Sequence, residues 1–412
     1  MDKDIYTEKQ KALLRLWQKN ELKRITLLEG SVRSGKTWIS LVLWAFWVAT
    51  APKDGRYLMA AKTLTSLRRN CLDVLEELVG TANFTYSLPK KEGCLFGRKI
   101  YLEGANDARA ENKIRGMTLS GAYCDELTLF AEDFFAMLLT RLSAPGAKLI
   151  ATTNPDSPFH WLKEKYIDRA ADGKIDMLTM KFLIDENTFL DADYIENQKK
   201  EHVGVFYDRF ILGLWVVAEG LVYPNFDPEK HVIRFDMPEP KEDEGNYYIS
   251  VDYGTLNPCS MGLWRTEDGR AVRVKEFYYD GRKSRKQLTD EEYYSELEKL
   301  AGDKMIQYVV VDPSAASFIT CIAKHGRFGV KKAANDVLAG IRTTASLLNS
   351  GRLLFDESCE GVIKEFRSYS WDEKSGEDKV IKENDHAMDD MRYFCYTVLR
   401  HEWHWLNWAV DG

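Results

Sequence analysis

The stretch Gly30-Ser31-Val32-Arg33-Ser34-Gly35-Lys36-Thr37 fits the phosphate-loop pattern G-x-x-x-x-G-K-[ST] at every required position. An apolar run at residues 24–29 predicts a buried strand before it, and another at residues 38–46 predicts a helix after it. In this context the backbone N–H groups of the loop are expected to surround phosphate oxygens. We predict that Lys36 reaches the β- and γ-phosphates of ATP and that Thr37 gives its hydroxyl to Mg²⁺.

Polar residues follow two further predicted strands. Asp125 and Glu126 come directly after the apolar residues 121–124. With a phosphate loop upstream, Asp125 is expected to help hold Mg²⁺ and Glu126 to polarise the water that attacks the γ-phosphate. Thr153 and Asn154 end the next apolar strand, where a sensor of the γ-phosphate would lie. The alternative for this pair is a simple turn, because Asn-Pro initiates turns well.

Four other residues are open between a functional and a structural role. Gln10, on a predicted helix at residues 6–17, can hydrogen-bond adenine, but it fits a surface position of that helix equally well. Arg33 is the first candidate for stabilising charge on the transferred phosphoryl group. Arg115 and Arg141 are alternatives, in cis or on a neighbouring subunit, although a surface or ion-pair role is expected for at least two of the three arginines.

Length, composition and charge limit the class of protein. With 412 residues, 45% of them hydrophobic and 29% charged, the chain has the size and composition of a soluble protein of two domains. Its longest apolar run, residues 38–50, is too short to span a bilayer, and the N-terminus does not resemble a secretion signal. Seven scattered cysteines without C-x-x-C spacing predict neither a disulfide framework nor a zinc site.

The net charge of −7 means that a nucleic-acid partner must be attracted by local basic patches. Residues 282–286 and 324–327 are candidate contacts to a DNA backbone, and either segment alone also fits a solvated loop. Strands and helices alternate in the first half, which predicts a mostly parallel sheet with helices on both faces. Clustered prolines and charges then mark a linker. The predicted domains are residues 1–200 and 241–412, with a linker region at 201–240.

The second half predicts three antiparallel strands and then alternating helices and strands, which is the ribonuclease H layout. Asp252 lies on the first of these strands and Asp312 at the end of the fourth. His386 and Asp389 are three residues apart on the last helix and so face the same way. These side chains predict a site for Mg²⁺ or Mn²⁺ and two-metal cleavage of a phosphodiester, although each aspartate alone also fits a strand end, a cap or a solvated face.

The predicted fold class is therefore α/β, with a phosphate-loop ATPase domain of the ASCE type followed by a ribonuclease H-like nuclease domain. Over nearly its whole length the chain resembles the large terminase subunit of tailed bacteriophages. The phosphate loop and residues 114–126 and 151–155 carry the resemblance in the first half. In the second half it is carried by residues 251–254, 311–313 and 385–393.

This resemblance implies work on double-stranded DNA in the host bacterial cytoplasm, a role of Thr153 and Asn154 in coupling, and no membrane. It also implies a ring at the portal protein of the procapsid, with the small terminase subunit as partner; in isolation the chain could be a monomer. Asp390 stands where similar proteins usually carry a small residue. Either Asp389 or Asp390 could therefore bind metal, and helical phase with His386 favours Asp389.

The predicted function is a viral DNA packaging motor. ATP hydrolysis would drive double-stranded DNA into a procapsid, and a two-metal endonuclease would cut concatemeric DNA. One alternative is an ATP-dependent translocase or remodeller whose second domain only binds DNA. Another is a transposase-like nuclease with a vestigial nucleotide fold.

Overall fold

The computed structural model of the protein describes residues 5–105, 110–238, 243–255, 257–373, 375 and 377–400. They form two compact units, one from residues up to 195 together with 207–217, and the other from 196–206 together with residues from 218 onward. The stretch predicted as a linker, 201–240, is thus divided between the units. Ile211 shows why, because it packs with Val32 and Ile184 in a small core of the first unit. Residues 239–242, where the predicted boundary falls, lie outside the described residues.

One eight-stranded sheet forms the centre of the first unit. Its strands are β1 (Ile25–Gly30), β2 (Arg56–Ala61), β3 (Phe84–Ser87), β4 (Glu92–Leu95), β5 (Arg98–Gly104), β6 (Gly121–Cys124), β7 (Lys148–Thr153) and β8 (Met177–Phe182). They lie in the order β3-β4-β5-β2-β6-β7-β1-β8. From β5 to β8 in this order all neighbours are parallel, and β3 and β4 add an antiparallel edge.

Helices join these strands. They are α1 (Glu8–Gln18), α2 (Lys36–Thr50), α3 (Leu64–Leu67), α4 (Asp73–Val79), α5 (Glu111–Ile114), α6 (Glu132–Arg141) and α7 (Asp168–Ala171), followed by α8 (Ala192–Glu201) and α9 (Gly204–Phe210) at the division between the units. A π-helical turn, Arg68–Leu72, connects α3 to α4. The sequence also predicts helices at residues 67–79 and 131–142, and the structure confirms both to within a few residues.

Alternate residues of the central strands enter two separate apolar cores. In β1, Leu28 packs in the core that contains Trp44 of α2, whereas Leu27 packs in the core that contains Phe134 of α6. Successive side chains of a strand point to opposite faces, so both faces of this sheet are covered. This is why the strands of the first unit read as unbroken apolar runs in the sequence.

The second unit contains a seven-stranded sheet. Its strands are β9 (Val232–Ile233), β10 (Asn246–Asp252), β11 (Cys259–Glu267), β12 (Arg270–Tyr279), β13 (Ile306–Val311), β14 (Val330–Lys332) and β15 (Leu353–Asp356), in the order β14-β13-β10-β11-β12-β15-β9. Strands β10, β11 and β12 are antiparallel neighbours, and β13 adds in parallel to β10. The strand arrangement predicted for the second half is therefore confirmed.

Seven α-helices among the described residues belong to this unit alone. They are α10 (Pro228–His231), α11 (Gly281–Ser284), α12 (Asp290–Ala301), α13 (Ala316–His325), α14 (Val337–Asn349), α15 (Glu360–Phe366) and α16 (His386–Phe394). Within the described part of the chain, no helix combines the length and the apolar character that crossing a lipid bilayer requires.

Helix α16 is fixed against one face of the second sheet. Phe394 stacks on Trp264 of β11, with ring centroids 4.5 Å apart and an interplanar angle of 11°. Val251 of β10 points to the opposite face, into a core shared with Phe318 of α13. The start of α16 lies close to the end of β10, because Nδ1 of His386 is 2.8 Å from Oδ2 of Asp252.

Burial makes His202 of the second unit a source of pH-dependent stability. Burial lowers the pKa of His202, and the nearby charge of Arg342 lowers it further. A contact of 2.9 Å between Nδ1 and the backbone oxygen of Gln198 acts in the opposite direction. The unfolded chain thus binds a proton at higher pH than the folded chain, so stability is retained above the ordinary pKa of about 6.5 and falls as the pH drops below it. We expect a loss of at most about 1.4 kcal/mol per pH unit from this one group. Urea unfolding near neutral pH and about two pH units lower measures this effect. The free energy of unfolding should change less with pH in His202→Gln than in the wild type, and an equal change in both proteins would contradict the prediction.

Candidate functional site

The three polar segments predicted for the first site leave neighbouring strands at one edge of the sheet. Glu29 of β1 pairs with Thr153 of β7, and Cys124 of β6 pairs with Ala151 of β7. Because these strands are parallel, the phosphate loop, the Asp125–Glu126 pair and Asn154 all follow at the carboxyl edge. Ligands of open α/β sheets bind at this edge.

Two glycines of the phosphate loop occupy positions that exclude a side chain. Gly30 has φ +129°, and a Cβ there would lie 2.0 Å from the backbone oxygen of Phe182. Gly35 has φ +80°, and its Cβ would lie 2.9 Å from Nε2 of Gln10. Gly35 also caps the N-terminus of α2. The loop can therefore approach neighbouring backbone and side chains closely, as a phosphate-binding loop requires.

Lys36 is buried, with 7% of the residue exposed, and points back over the loop. Its Nζ donates to the backbone oxygen of Ser31 at 2.9 Å and to Oδ1 of Asn154 at 2.6 Å. Burial lowers the pKa of Lys36 to about 8, against the opposing charges of Glu126 and Asp125. Phosphate oxygens beside this ammonium group would supply the negative charge that offsets its burial, so the site fits a nucleoside triphosphate.

Thr152, which no sequence motif singled out, hydrogen-bonds both Asp125 and Glu126. Asp125 is 1% exposed, and its Oδ1 accepts a hydrogen bond of 2.7 Å from Oγ1 of Thr152. Nδ2 of Asn70 donates to the other carboxylate oxygen at 3.4 Å. The backbone N–H of Glu126 donates to the same Thr152 hydroxyl, at 3.2 Å. Glu126 has φ +54°, a left-handed conformation that is uncommon for glutamate and is often found at functional sites.

The structure separates the predicted sensor pair. Asn154 contacts Lys36 directly, whereas Oγ1 of Thr153 hydrogen-bonds Oγ1 of Thr128 at 3.0 Å, in the segment that follows Glu126. A plain Asn-Pro turn would not explain the contact between Asn154 and Lys36. The sensor role of both residues stays a prediction.

Gln10 lies against the phosphate loop. It is 2% exposed, so the surface position considered for it is wrong. Its Oε1 accepts from the backbone N–H of Thr7 at 2.9 Å in the capping box that begins α1. The amide nitrogen lies beside Gly35. A contact with adenine stays a prediction.

The three candidate arginines differ in their surroundings. Arg33 lies inside the loop with φ +54°, and its backbone oxygen accepts from Nδ2 of Asn187 at 2.8 Å. Arg115 forms an ion pair of 2.8 Å with Glu111, and Arg141 donates at 2.7 Å to the backbone oxygen of Arg115. Only Arg33 is therefore part of the loop, and its catalytic role stays a prediction.

The predicted metal ligands of the second unit meet where β10 and β13 end. Val251 pairs with Val311, so Asp252 and Asp312 leave neighbouring parallel strands side by side. The start of α16 lies over them, because Nδ1 of His386 is 2.8 Å from Oδ2 of Asp252. One turn later the same helix presents Asp389. All four predicted residues, Asp252, Asp312, His386 and Asp389, line one cavity of about 700 Å³.

Two carboxylates of this cavity share one cationic partner. Nζ of Lys382 lies 3.1 Å from an oxygen of Asp385 and 3.1 Å from an oxygen of Asp389. Arg392 contacts the other oxygen of Asp389 at 2.9 Å. Hard divalent cations such as Mg²⁺ and Mn²⁺ prefer carboxylate oxygens, so the residues present fit the predicted metal. Lys382 precedes the helix in an irregular segment, where no spacing rule would have identified it.

The protonation of Asp252 also agrees with a cation site. Burial raises the pKa of Asp252 to about 6, with His386 opposing the rise and Asp389 adding to it. For Asp312, burial is outweighed by hydrogen bonds from Tyr393, at 2.6 Å, and from Ser314, so its pKa is lowered. A divalent cation would favour the ionised form of Asp252 and offset the cost of its burial.

Asp390 does not reach the cavity. It is fully buried on the other side of α16, where Arg273 donates to its two oxygens at 2.5 and 3.1 Å and Ser250 donates at 2.8 Å. Ser260 also donates to it. Of the two neighbouring aspartates left open as metal ligands, the structure places Asp389 on the cavity.

We expect Asp390→Asn to lower the free energy of unfolding by about 3–5 kcal/mol, because Arg273 would keep its charge in the core without its main partner. Asp252→Asn is the matched control. Its ionised form is disfavoured by burial, so removal of the charge should leave stability unchanged or higher. Urea unfolding measures the free energy of unfolding of both variants, and only Asp390→Asn should show a large loss. An Asp390→Asn protein as stable as the wild type would contradict this.

Comparisons with known proteins agree with this geometry. A family model described as "Terminase large subunit, T4likevirus-type, N-terminal" matches residues 27–230, and one described as "Terminase RNaseH-like domain" matches residues 261–396. The large terminase subunit of Escherichia phage T5 is 23% identical over 279 residues, which are 65% of this chain and 62% of that relative. The chain thus spans less than two thirds of this curated protein.

A solved large terminase from a thermophilic bacteriophage is 38% identical, with a TM-score of 0.89, over 96% of this chain and all of that one. The same thermophilic-phage protein in complex with ATP-γ-S has a TM-score of 0.86, at 38% identity over 96% of this chain and 99% of that one. These matches confirm the predicted fold class, with an N-terminal ATPase fold followed by a ribonuclease H-like fold.

Proposed function

The chain belongs to the family of phage large terminase subunits, and on that premise we propose that it is the motor and nuclease of viral DNA packaging. ATP hydrolysis in the first unit drives translocation of double-stranded DNA into a procapsid. A two-metal endonuclease in the second unit cuts concatemeric DNA. The observation that supports this most is that each unit gathers carboxylates at the carboxyl edge of its own sheet, in one case beside a phosphate loop and in the other around an open cavity.

In the first unit, the loop backbone and Lys36 bind the phosphates of ATP. Thr37 and Asp125 would hold Mg²⁺, and the bound metal would neutralise phosphate charge. Glu126 orients the attacking water and takes up its proton. The relative from the thermophilic phage was solved with ADP and with ATP-γ-S, which supports ATP as the nucleotide.

Asn154 provides a route from the nucleotide to the rest of this unit. Its side chain accepts from Lys36, and its backbone oxygen accepts from Thr128 at 3.3 Å. A phosphate group that takes over the contact with Lys36 would release the Asn154 side chain. The segment after Glu126 would then respond to the nucleotide, which is a physical basis for coupling by Thr153 and Asn154.

In the second unit, Asp252, Asp312 and Asp389 would hold Mg²⁺ or Mn²⁺, and the bound metal would activate water and stabilise charge at the cleaved phosphate. His386 is a fourth metal-site residue, and its bond to Asp252 orients that carboxylate. Arg282 and Lys283 line the same cavity and would contact the DNA backbone. Lys382 would leave its carboxylate partners for a phosphate when the metal binds.

The partners proposed for this activity follow from the family. They are double-stranded DNA, the portal protein of the procapsid and the small terminase subunit, with the chain assembled as a ring on the portal. The proposed location is the cytoplasm of the bacterial host. DNA sequence selection is left to the small subunit.

A preparation of the whole chain tests both activities at once. We expect ATP hydrolysis that is stimulated by double-stranded DNA, and cleavage of plasmid by the same protein with Mn²⁺ or Mg²⁺ in the absence of ATP. With procapsids that carry a portal, added DNA should become resistant to DNase only when ATP is present. Stimulated hydrolysis with fully intact plasmid would favour the alternative, a translocase or remodeller whose second unit only binds DNA.

A further inference from the structure

A cysteine, a histidine and a glutamate of the second unit come together outside the nuclease cavity. Cys321 and His325 are four residues apart on α13, so they share one face of that helix. Glu291, near the start of α12, faces both of them. Nε2 of His325 is 2.8 Å from one oxygen of Glu291, and Sγ of Cys321 is 3.6 Å from the other. The ligand atoms of these three residues all lie within 4.8 Å of one another.

We propose that Glu291, Cys321 and His325 bind one Zn²⁺ ion, with water as the fourth ligand. Thiolate, imidazole and carboxylate together are ligands that zinc prefers. In a tetrahedral zinc site with ordinary bond lengths the ligand atoms lie roughly 3.3–3.6 Å apart, so small side-chain rotations suffice here. One thiolate and one carboxylate neutralise the formal charge of the ion.

The surroundings hold the ligands ready and leave a fourth position open. The ring of His325 stacks on Tyr294 with centroids 3.8 Å apart and an interplanar angle of 8°, which fixes its plane. Tyr294 is itself buried. The side chains of Glu291 and His325 are 71% and 39% exposed, so water can reach the ion. The group also lies at the C-terminal end of α13, where the helix dipole favours a cation.

The chemistry of binding is a proton exchange. Burial, together with the charge of Glu291, raises the pKa of the Cys321 thiol to about 11. Zn²⁺ would replace the thiol proton, and the S–Zn bond would form as that proton leaves to solvent. The ion would then fasten α12 to α13.

This group differs from the nuclease centre in the metal it should select. The predicted nuclease ligands are three carboxylates and one imidazole, which suit Mg²⁺ and Mn²⁺, whereas a thiolate selects softer ions such as Zn²⁺ and Co²⁺. The spacing of the cysteines predicted no zinc site. A C-x-x-x-H pair on a helix, completed by a glutamate thirty residues earlier, does not have the C-x-x-C spacing that is typical of zinc sites.

Titration of the reduced, tag-free whole chain with Co²⁺ tests the proposal. We expect a thiolate-to-cobalt charge-transfer band that saturates near one equivalent and disappears when Zn²⁺ is added. Co²⁺ in the nuclease centre cannot give this band, because that centre has no sulfur ligand. Cys321→Ser should abolish the band, and Cys94→Ser, which changes an exposed cysteine of the first unit, should leave it intact.

Two surface variants guard against a folding artefact. Glu291→Gln and His325→Gln alter exposed side chains, so circular dichroism should show the wild-type fold, while the apparent affinity for Co²⁺ should fall at least about 10-fold. A wild type that binds cobalt without the band, a band that persists in Cys321→Ser, or unchanged affinity in both surface variants would each overturn the proposal. These readouts do not depend on ATPase or nuclease activity.

Discussion

Lys36→Ala and Glu126→Gln are each expected to lower DNA-stimulated ATP hydrolysis at least about 100-fold while leaving plasmid cleavage unchanged. Lys36 is a buried ammonium at the carboxyl edge of the first sheet, already engaged by two oxygen acceptors that phosphates would replace. Alanine removes the charge that stabilises the transferred phosphoryl group. Glutamine at position 126 keeps the shape of the side chain and removes the base that accepts a proton from water.

The two variants should differ in nucleotide binding. Lys36→Ala loses a contact to the phosphates and should bind a fluorescent ATP analogue more weakly, whereas Glu126→Gln should bind it as the wild type does. Lys53→Ala and Glu77→Gln change residues of the same unit that lie outside the site and serve as matched controls. ATPase rates that stay at the wild-type level in both site variants would refute the motor, since no other phosphate loop is present in the sequence.

Local sequence was sufficient to predict the architecture of both units. In the first, the glycine loop and unbroken apolar runs such as β6 specify a sheet covered on both faces, and strand ends in such a sheet meet at one edge. In the second, the order of strands is enough to predict Asp252 beside Asp312. These predictions rest on periodicity and chain order, which are properties of short stretches.

Contacts that depend on side-chain direction were beyond the sequence. Thr152 and Thr153 are identical in type, yet only the first hydroxyl reaches Asp125, because neighbouring residues of a strand point to opposite faces and the register of β7 decides which face meets the loop. Asp389 and Asp390 are likewise identical, and although helical phase with His386 favoured Asp389 for the cavity, the sequence did not show what Asp390 contacts. The buried Arg273, more than a hundred residues away in the sequence, takes one of them into the core.

The division of the chain between residues 196 and 217 was also not foreseen. Prolines and charges marked a linker, but the apolar residues within it were free to join either unit. Ile211 joins Val32 and Ile184 of the first unit, whereas Phe206 packs on Trp371 of the second, with ring centroids 6.3 Å apart. Which core a short apolar segment enters depends on the space that each core leaves, and a linear sequence does not show that space.

For the nuclease, we expect plasmid cleavage in Mn²⁺ to fall strongly in each of three variants, Asp252→Asn, Asp312→Asn and Asp389→Asn. Mutation of a residue that only contacts a metal ligand typically lowers activity roughly 10–100-fold, and loss of a ligand itself should lower it more. Each change removes an anionic oxygen from the cavity, where Nζ of Lys382 already lies 3.1 Å from an oxygen of Asp389. DNA-stimulated ATP hydrolysis should remain near the wild-type rate, because the site for ATP is in the other unit.

Nicking and linearisation of supercoiled plasmid, followed over time on agarose gels, measure this effect, and Asp303→Asn, an exposed position of the same unit, is the control. The dependence on metal concentration separates ligand loss from a structural defect. A variant that lacks one ligand should need more Mn²⁺ for the cleavage that remains, whereas a partly unfolded protein should lose activity at every concentration. Full cleavage by all three variants at the wild-type Mn²⁺ requirement would show that these aspartates hold no catalytic metal. Asp252 and Asp312 would then serve to pair His386 and Tyr393, and Asp389 would serve to pair Lys382.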